Sequence, residues 1–203
     1  MAQPDIQQDA PRHMSIAEYL AFEGQSDIKH EFVAGRVYAM SGGSIRHGVI
    51  TVNISTDLNI QLEDTDCTVS SPDTRVKSEA MPSFRYPDVV VFCGEPVLVD
   101  ERVDTLGNPI VLVEVLSPST AVKDYNEKLE EYIKIDSLQA YVLVTQHTAK
   151  VQIFSRHESG KWWYDIVTGL DSTVRIGAID CTLEMKRIYR EVMLDEQQAD
   201  DES

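Results

Sequence analysis

The chain has 203 residues, of which 18 are Lys or Arg and 34 are Asp or Glu, so its formal net charge is −16. That charge excludes a protein that holds nucleic acid by bulk positive charge, because such binding requires basic side chains that neutralise phosphates. It does not exclude an enzyme that meets a phosphate through a bound metal ion, since the metal brings its own charge. The length suits one domain whose core needs no disulfides or structural metals.

Cysteine content and hydropathy indicate the compartment. Cys67, Cys93 and Cys181 are far apart, and an odd number of cysteines without a CxxC motif argues against a disulfide framework. The polar first residues do not resemble a secretory signal. No apolar run approaches the roughly 20 residues that a transmembrane helix needs. The sequence therefore predicts a cytoplasmic protein with no membrane partner.

The two ends of the chain differ in composition from its centre. Residues 1–13 are polar and predict a disordered leader. Residues 195–203 carry five acids and no base, which predicts a disordered acidic tail. Residues 14–194 between them are predicted to form a single domain.

The first half of this domain alternates between helices and short strands. Ser15 and Glu18 have the spacing of a capping box and predict the start of a helix. The predicted elements that follow are a hairpin at 30–40 that turns at Ala34-Gly35, a helix at 45–63, and strands at about 66–70 and 74–78.

Two apolar runs, 89–92 and 110–116, predict central strands that are covered on both faces. The remaining predicted elements are a helix at 124–135, strands at 140–145, 150–156 and 161–169, and a short helix near 183–190. This order predicts a mixed α/β fold with one central sheet and helices packed on it.

Two carboxylates interrupt these apolar runs. Glu114 lies within the second run, where strand alternation sets it on the same face as Ile110 and Leu112. A buried carboxylate must be protonated, paired or bound to a metal. Asp88 follows Pro87 at the start of the other run. Two carboxylates on adjacent strands suit a hard divalent cation, although Asp88 is equally explained as a turn residue.

Several segments resemble the Uma-type restriction endonuclease family of the PD-(D/E)XK nuclease superfamily. The matching segments are 15–22, 30–42, 46–54, 86–92, 110–120, the spacing from Asp124 through Lys128 to Tyr132, and 140–144. The resemblance covers roughly residues 14–190. It implies a restriction-endonuclease-like α/β fold, with a mixed central β-sheet flanked by helices and additional N-terminal and C-terminal β-hairpins.

The resemblance also implies roles for individual residues. Asp88 and Glu114 match the two metal-binding carboxylates of the superfamily. The motif expects a lysine two residues after Glu114, where this chain has Leu116, and Lys128 matches the lysine that this family takes from the following helix. From spacing alone, Lys128 is also explained as an i,i+4 partner of Asp124 on a solvated helix face.

Two further site residues come from the N-terminal matches. Glu31 matches the glutamate of the family's hairpin and is a candidate third metal ligand. His47 matches the histidine near the start of the second helix. Its sequence context alone leaves three roles open: a helix cap, a phosphate contact or a partner of Glu31.

The function that the resemblance implies is a Mg²⁺- or Mn²⁺-dependent endonuclease, a hydrolase that cuts DNA by direct attack of water. Asp88, Glu114, Lys128, Glu31 and His47 are its candidate catalytic residues.

A homodimer is expected by fold analogy, because a two-fold axis would let two sites address two strands. Two alternatives remain: a non-catalytic binding or regulatory protein with the nuclease fold, and a metal-dependent hydrolase of a small phosphorylated substrate. A narrow closed pocket would favour the last.

Overall fold

The computed structural model describes residues 12–40, 42–70, 72–78, 81–99, 104–117 and 124–195. The predicted leader up to residue 11 and the predicted tail from residue 196 lie outside the described residues. The strands are β1 (Arg12–His13), β2 (His30–Val33), β3 (Arg36–Ala39), β4 (Cys67–Ser70), β5 (Arg75–Ser78), β6 (Ser83–Arg85), β7 (Val89–Cys93), β8 (Thr105–Leu106), β9 (Val111–Leu116), β10 (Ala140–Thr145), β11 (Lys150–Arg156), β12 (Trp162–Thr168), β13 (Thr173–Ile176) and β14 (Cys181–Glu184). The helices are α1 (Ile16–Glu23), α2 (Ile45–Gln61), α3 (Leu129–Tyr132) and α4 (Met185–Ile188).

The central sheet has the strand order β12-β11-β10-β9-β7-β4. β9 and β10 run parallel, and the other neighbours run antiparallel, so the sheet is mixed as predicted. Every residue of β9 is buried, and β10 is buried except at Thr145. The near-continuous apolar runs thus form the centre of this sheet, because both of its faces are covered.

A second sheet, with the order β1-β3-β2-β6-β5-β8, contains the predicted N-terminal hairpin. Ala34 and Gly35 turn this hairpin with φ of 47° and 87°, a backbone conformation that glycine adopts without steric cost. This second sheet is larger than the predicted hairpin, because β6 and β8 are too short to show a strand period in the sequence. Arg12 and His13, assigned to the leader by composition, pair with β3.

The helices begin close to the predicted positions. Ser15 and Glu18 form the predicted capping box of α1, and Ser44 caps α2. A π-helical segment (Asp124–Lys128) runs directly into α3, which confirms the predicted helix there, although the side chain of Asp124 lies outside the described residues. The predicted last helix is shorter than expected, because its first residues belong to β14, which pairs with β13 as a C-terminal hairpin.

The central sheet separates two clusters of buried side chains. On one face, α2 packs Ile50, Ile54 and Leu58 against the odd-numbered residues of β9. On the other face, Leu112 and Leu116 pack with Tyr132 and Tyr141. Glu114 shares this second face, but Ile110 does not, because it precedes β9 and packs against the first cluster.

The expectation that the cysteines form no disulfide is wrong for one pair. Cys67 on β4 and Cys93 on β7 are register partners in the central sheet and form a disulfide. The antiparallel pairing brings them together although they are 26 residues apart, and sequence spacing alone does not reveal such a register. Cys181 is free and buried. No helix within the described ranges is long and apolar enough to cross a membrane.

Candidate active site

Asp88 and Glu114 face one another across two neighbouring strands. β7 and β9 are antiparallel, with Val89 opposite Val113. Asp88 directly precedes β7, and this register, continued by one residue, sets it opposite Glu114. Residues paired in this way have Cβ atoms about 4.5–5.5 Å apart on one face of the sheet. Asp88 therefore lies directly before β7, and Glu114 lies on the adjacent strand β9.

Asp88 is held by a backbone group and a histidine. Its Oδ2 accepts a 2.7 Å hydrogen bond from the backbone N–H of Val115. Its Oδ1 lies 3.0 Å from Nε2 of His47. His47 reaches Asp88 from the first turn of α2, where its own backbone N–H donates to Ser44 Oγ. The imidazole of His47 therefore contacts Asp88, the first of the two predicted metal carboxylates.

Lys128 is buried, so its interpretation as part of a solvated helix face is wrong. Its Nζ donates to Glu114 Oε1 at 2.9 Å and lies 3.6 Å from Glu31 Oε1. The helical segment that carries Lys128 packs this side against the end of β9, and only 6% of the residue is exposed. Position 116 is a leucine, and Lys128 of the following helical segment brings an ammonium group to Glu114.

Tyr132, one turn after Lys128, holds the same carboxylate. Its hydroxyl donates to Glu114 Oε1 at 3.1 Å. Complete burial, followed by the nearby charge of Glu114, raises the pKa of Tyr132 well above its ordinary value. The tyrosine is therefore a permanent hydrogen-bond donor to Glu114 at physiological pH.

Arg85 holds Glu31 in place through a buried ion pair. The guanidinium Nη1 donates to Glu31 Oε2 at 2.7 Å, and Nη2 donates to Glu131 Oε2 at 3.1 Å. Glu131 also accepts from the hydroxyl of Ser83. Burial opposes the charge of Arg85, but Glu31 and Glu131 outweigh it and raise the pKa of the guanidinium above its ordinary value. Arg85 therefore stays charged between the two carboxylates.

Arg85 and Glu131 have no site role in the sequence-based prediction, although both are fully buried beside the site. Arg85 is visible in the sequence only as one of several basic residues near Pro87. Glu131 looks like one of four acids in the predominantly polar predicted helix at 124–135. One signal in the sequence does indicate a buried role for Glu131. It lies beside Tyr132 on the predicted helix, and a helix that packs on a sheet buries one of its faces.

The five predicted site residues line one cleft of about 970 Å³. The cleft is open to solvent and receives side chains from both sheets and from α2. Further lining residues are Tyr38, Met40, Ser44, Arg46, Gln146, His147 and Asp195. The predicted residues are therefore brought together, in agreement with the arrangement that the sequence implies.

The donor set fits a hard divalent cation at Asp88 and Glu114. Arg85 and Lys128 pair with the three carboxylates Glu31, Glu114 and Glu131. With Asp88, which lines the same cleft, the four carboxylates exceed these two bases by two formal negative charges. Carboxylate oxygens are the ligands that Mg²⁺ prefers.

The fit is weaker for Glu31, because its two oxygens contact Arg85 and Lys128. Among the described residues, three potential ligand atoms lie within 4.8 Å of one another only at Asp66, Cys67 and Cys93. That group cannot supply two thiolates while its sulfurs are joined in the disulfide.

Comparison with known proteins assigns the fold and the family. The structure resembles the crystal structure of a "putative nuclease belonging to DUF820" from Anabaena variabilis ATCC 29413, with a TM-score of 0.73 at 14% identity, over 89% of this chain and 99% of that one. The two chains therefore share one fold, a restriction-endonuclease-like mixed α/β fold.

The sequence matches the family described as "Uma2: Putative restriction endonuclease" over residues 16–176. Two uncharacterized proteins of Synechocystis sp. (strain ATCC 27184 / PCC 6803 / Kazusa), slr1290 and sll1609, are 34% and 33% identical to it over 149 residues. These matches cover 73% of this chain, and 77% and 84% of the two relatives. The chain belongs to the Uma2 family.

Proposed function

We propose that the chain is a Mg²⁺- or Mn²⁺-dependent endonuclease that hydrolyses phosphodiester bonds of DNA. The observation that carries this proposal is the 2.9 Å contact between Lys128 Nζ and Glu114 Oε1, in the cleft that Asp88 also lines. It supplies, from a helix, the lysine that Leu116 does not. The family match supports a nuclease, and the contact supports a nuclease whose site is complete.

Asp88 and Glu114 would hold the metal, and Glu31 would add to its shell directly or through water. When bound there, the cation supplies a Lewis acid that neutralises phosphate charge and activates water. Neighbouring groups hold the two carboxylates in position for the cation. The backbone of Val115 and the imidazole of His47 fix Asp88, while Tyr132 fixes Glu114.

Lys128 is placed to act on the reacting phosphate. An ammonium group that projects from a buried stem beside two carboxylates stabilises the negative charge that develops in the transition state. Its burial strengthens this effect, because water screens it less than an exposed lysine. Arg85 acts through Glu31 by holding that carboxylate near Lys128, so we assign it a positioning role.

The open cleft favours a polymer over a small phosphorylated substrate. Small ligands bind in pockets that enclose most of their surface, whereas this cleft of about 970 Å³ is open along one side. The net charge of −16 does not oppose the proposal by itself, because five of the acids that contribute to it belong to residues 195–203, at the end of the chain.

The test is a cleavage assay at low ionic strength with supercoiled DNA, linear DNA, single-stranded DNA and RNA, each with Mg²⁺ or Mn²⁺. We expect Glu114→Gln and Lys128→Met each to lower the rate about 100-fold or more, as loss of a group that stabilises transition-state charge does. Matched controls are Glu130→Gln and Lys134→Met, which change exposed residues of the same helical region. EDTA is expected to stop cleavage.

Cleavage that Glu114→Gln leaves intact would contradict the proposal. So would a folded wild-type protein that binds Mn²⁺ at this site, as seen by calorimetry, and cuts none of the substrates. That second outcome would favour the non-catalytic alternative.

We also propose that the protein acts as a homodimer through β12, which ends the central sheet. Trp163, Tyr164 and Ile166 on this strand are 63%, 46% and 44% exposed. An apolar strand edge of this kind invites pairing with a second copy. Ile166→Lys is expected to convert a dimer to a monomer in sedimentation equilibrium, whereas the control Ile28→Lys, also at an exposed position, is not. A wild-type monomer would contradict this part of the proposal.

A further inference from the structure

Three charged or ionisable side chains meet at one end of the cleft. Arg46 Nη1 lies 2.6 Å from His147 Nδ1 and 3.0 Å from Asp195 Oδ1. His147 Nδ1 lies 3.1 Å from Asp195 Oδ2. The Asp195 carboxylate therefore contacts both the Arg46 guanidinium and the His147 imidazole. Both basic groups are partly exposed, so an anion that arrives from solvent can reach them.

Separate parts of the chain build this group. Arg46 is in the first turn of α2, and His147 follows the end of β10. Asp195 is fixed by a 2.9 Å hydrogen bond from its backbone N–H to the carbonyl of His147. Val192 and Leu194, just before it, pack against the apolar cluster under α2. The carboxylate is thus held at the cleft by its own backbone and by the preceding side chains.

Helix formation does not explain Arg46 at this position. The N-terminus of a helix carries partial positive charge and disfavours cations, and the first turn of α2 contains no acid that would compensate. The carboxylate of Asp195 is the compensating charge instead. The hydrogen bond from Arg46 lowers the pKa of Asp195 below its ordinary value, so Asp195 is ionised and paired at neutral pH.

The group is continuous with the candidate active site. The next residue after Arg46 is His47, which contacts Asp88. The residue before His147 is Gln146, which donates at 3.1 Å to the carbonyl of Leu116, two residues after Glu114. An anion bound by Arg46 and His147 would therefore lie beside the metal-binding carboxylates, along the same cleft.

We propose that Arg46 and His147 bind a backbone phosphate of DNA next to the phosphate that is cut, and that the Asp195 carboxylate occupies this subsite in the free protein. The inference rests on the proposed function in one respect, because it takes DNA as the ligand of the cleft. A carboxylate and a phosphodiester both accept hydrogen bonds from guanidinium and imidazole groups, so the two compete for the same donors.

The test measures DNA binding without cleavage. Fluorescence anisotropy of a fluorescein-labelled DNA duplex is followed in EDTA with the full-length wild type, Asp195→Asn, Arg46→Gln and the double variant. Removing the competing charge in Asp195→Asn is expected to tighten binding about threefold to tenfold. Arg46→Gln is expected to weaken binding and to reduce the salt dependence by about one phosphate contact. In the double variant the gain from Asp195→Asn should be absent.

The control for net charge is Asp180→Asn. Asp180 forms a comparable surface pair, with its Oδ1 2.6 Å from Arg175 Nη2, at residues that do not line the cleft. It changes the charge by the same amount, so it is expected to shift affinity less than twofold. Equal tightening by Asp180→Asn and Asp195→Asn would overturn the inference, because bulk charge would then explain both.

The outcomes separate this inference from the proposed function. If Arg46-dependent binding is found but Glu114-dependent cleavage is not, the subsite stands and the nuclease proposal fails. If Glu114-dependent cleavage is found, and Arg46→Gln and Asp195→Asn keep the wild-type KM and salt dependence, the nuclease stands and the subsite fails. Absence of binding by every variant, including Asp195→Asn, would also overturn the subsite.

Discussion

The two faces of the central sheet are built from different chemistry, although the same strands contribute to both. On the α2 face, Val111, Val113 and Val115 pack against aliphatic side chains, and burial of apolar surface stabilises the fold. On the opposite face, Glu114 points from the same strand into a group of buried carboxylates and bases. Residues adjacent in sequence thus serve different purposes, because strand alternation sends them to opposite sides.

Filling the face that carries Glu114 with charged side chains costs free energy. Each buried charge loses its hydration, and the attraction between partners returns that cost only when geometry and hydrogen bonding are good. Arg85, Glu131 and Glu114 are at most 4% exposed, yet each has a charged partner within 3.1 Å. A chain that required only stability would fill this volume with apolar side chains, as it does on the α2 face. The charges are therefore best explained by the site that they support.

The largest expected effect comes from breaking the buried charge group at its deepest member. Glu131→Ala removes the carboxylate that accepts from both Arg85 and Ser83, and leaves the guanidinium with Glu31 alone. We expect the free energy of unfolding to fall by about 3–5 kcal/mol, as for other buried ion pairs that lose one partner. Urea denaturation measures it. The exposed neighbour gives the control, since Glu130→Ala should cost less than about 0.5 kcal/mol; similar losses from the two variants would refute the assignment.

A slightly smaller effect is expected on the apolar face. Leu58 is fully buried beneath the sheet, so Leu58→Ala leaves a cavity and should lower the free energy of unfolding by about 2–5 kcal/mol. Because Leu58 lies near the end of α2 and does not line the cleft, kcat and KM for DNA cleavage should stay at wild-type values at a temperature where the variant is folded. Ile60→Ala, at a position that is 57% exposed on the same helix, is the control. A change in kcat with Leu58→Ala would show that the two faces are coupled.

The contrast between the faces also shows how much of the fold and of the candidate site can be predicted from the sequence. The apolar runs predict the central strands, and an acid inside such a run identifies Glu114 without any structure. The roles expected for Asp88 and Lys128 come from the resemblance to the nuclease family, and the structure brings Lys128 to Glu114. Glu114 is predictable from the residues themselves, because a charge buried in an apolar strand requires a partner.

The remaining site residues depend on long-range packing that local periods do not encode. Arg85 and Glu131 are 46 residues apart, and one of them is on a strand of three residues that shows no alternation. The pairing of Cys67 with Cys93 depends on strand register. Asp195 was assigned to a solvated tail by composition, and only the packing of Val192 and Leu194 brings it to the cleft.

The smallest expected effect is a pH dependence of the free energy of unfolding that arises from Tyr19, at the second sheet. Tyr19 packs under the second sheet, is fully buried and donates to the carbonyl of His30 at 2.7 Å. Burial, followed by the nearby charge of Glu23, raises the pKa of Tyr19 to about 12. In the unfolded chain tyrosine ionises near pH 10, so above that pH the unfolded state loses a proton that the folded state keeps. The contribution of Tyr19 to stability is therefore complete below pH 10 and decreases between pH 10 and 12, by about 1.4 kcal/mol per pH unit.

Urea denaturation at pH 9 and pH 11 checks this dependence. Tyr19→Phe should lower stability by about 1 kcal/mol at pH 9, because a buried carbonyl loses its donor, and should lose less than wild type between the two pH values. Tyr164→Phe, which removes a hydroxyl from a residue that is 46% exposed, should keep the wild-type difference. If Tyr19→Phe keeps it as well, Tyr19 is not a source of the alkaline instability, and Tyr132 and Tyr86 become the next residues to test, since burial raises the pKa of both.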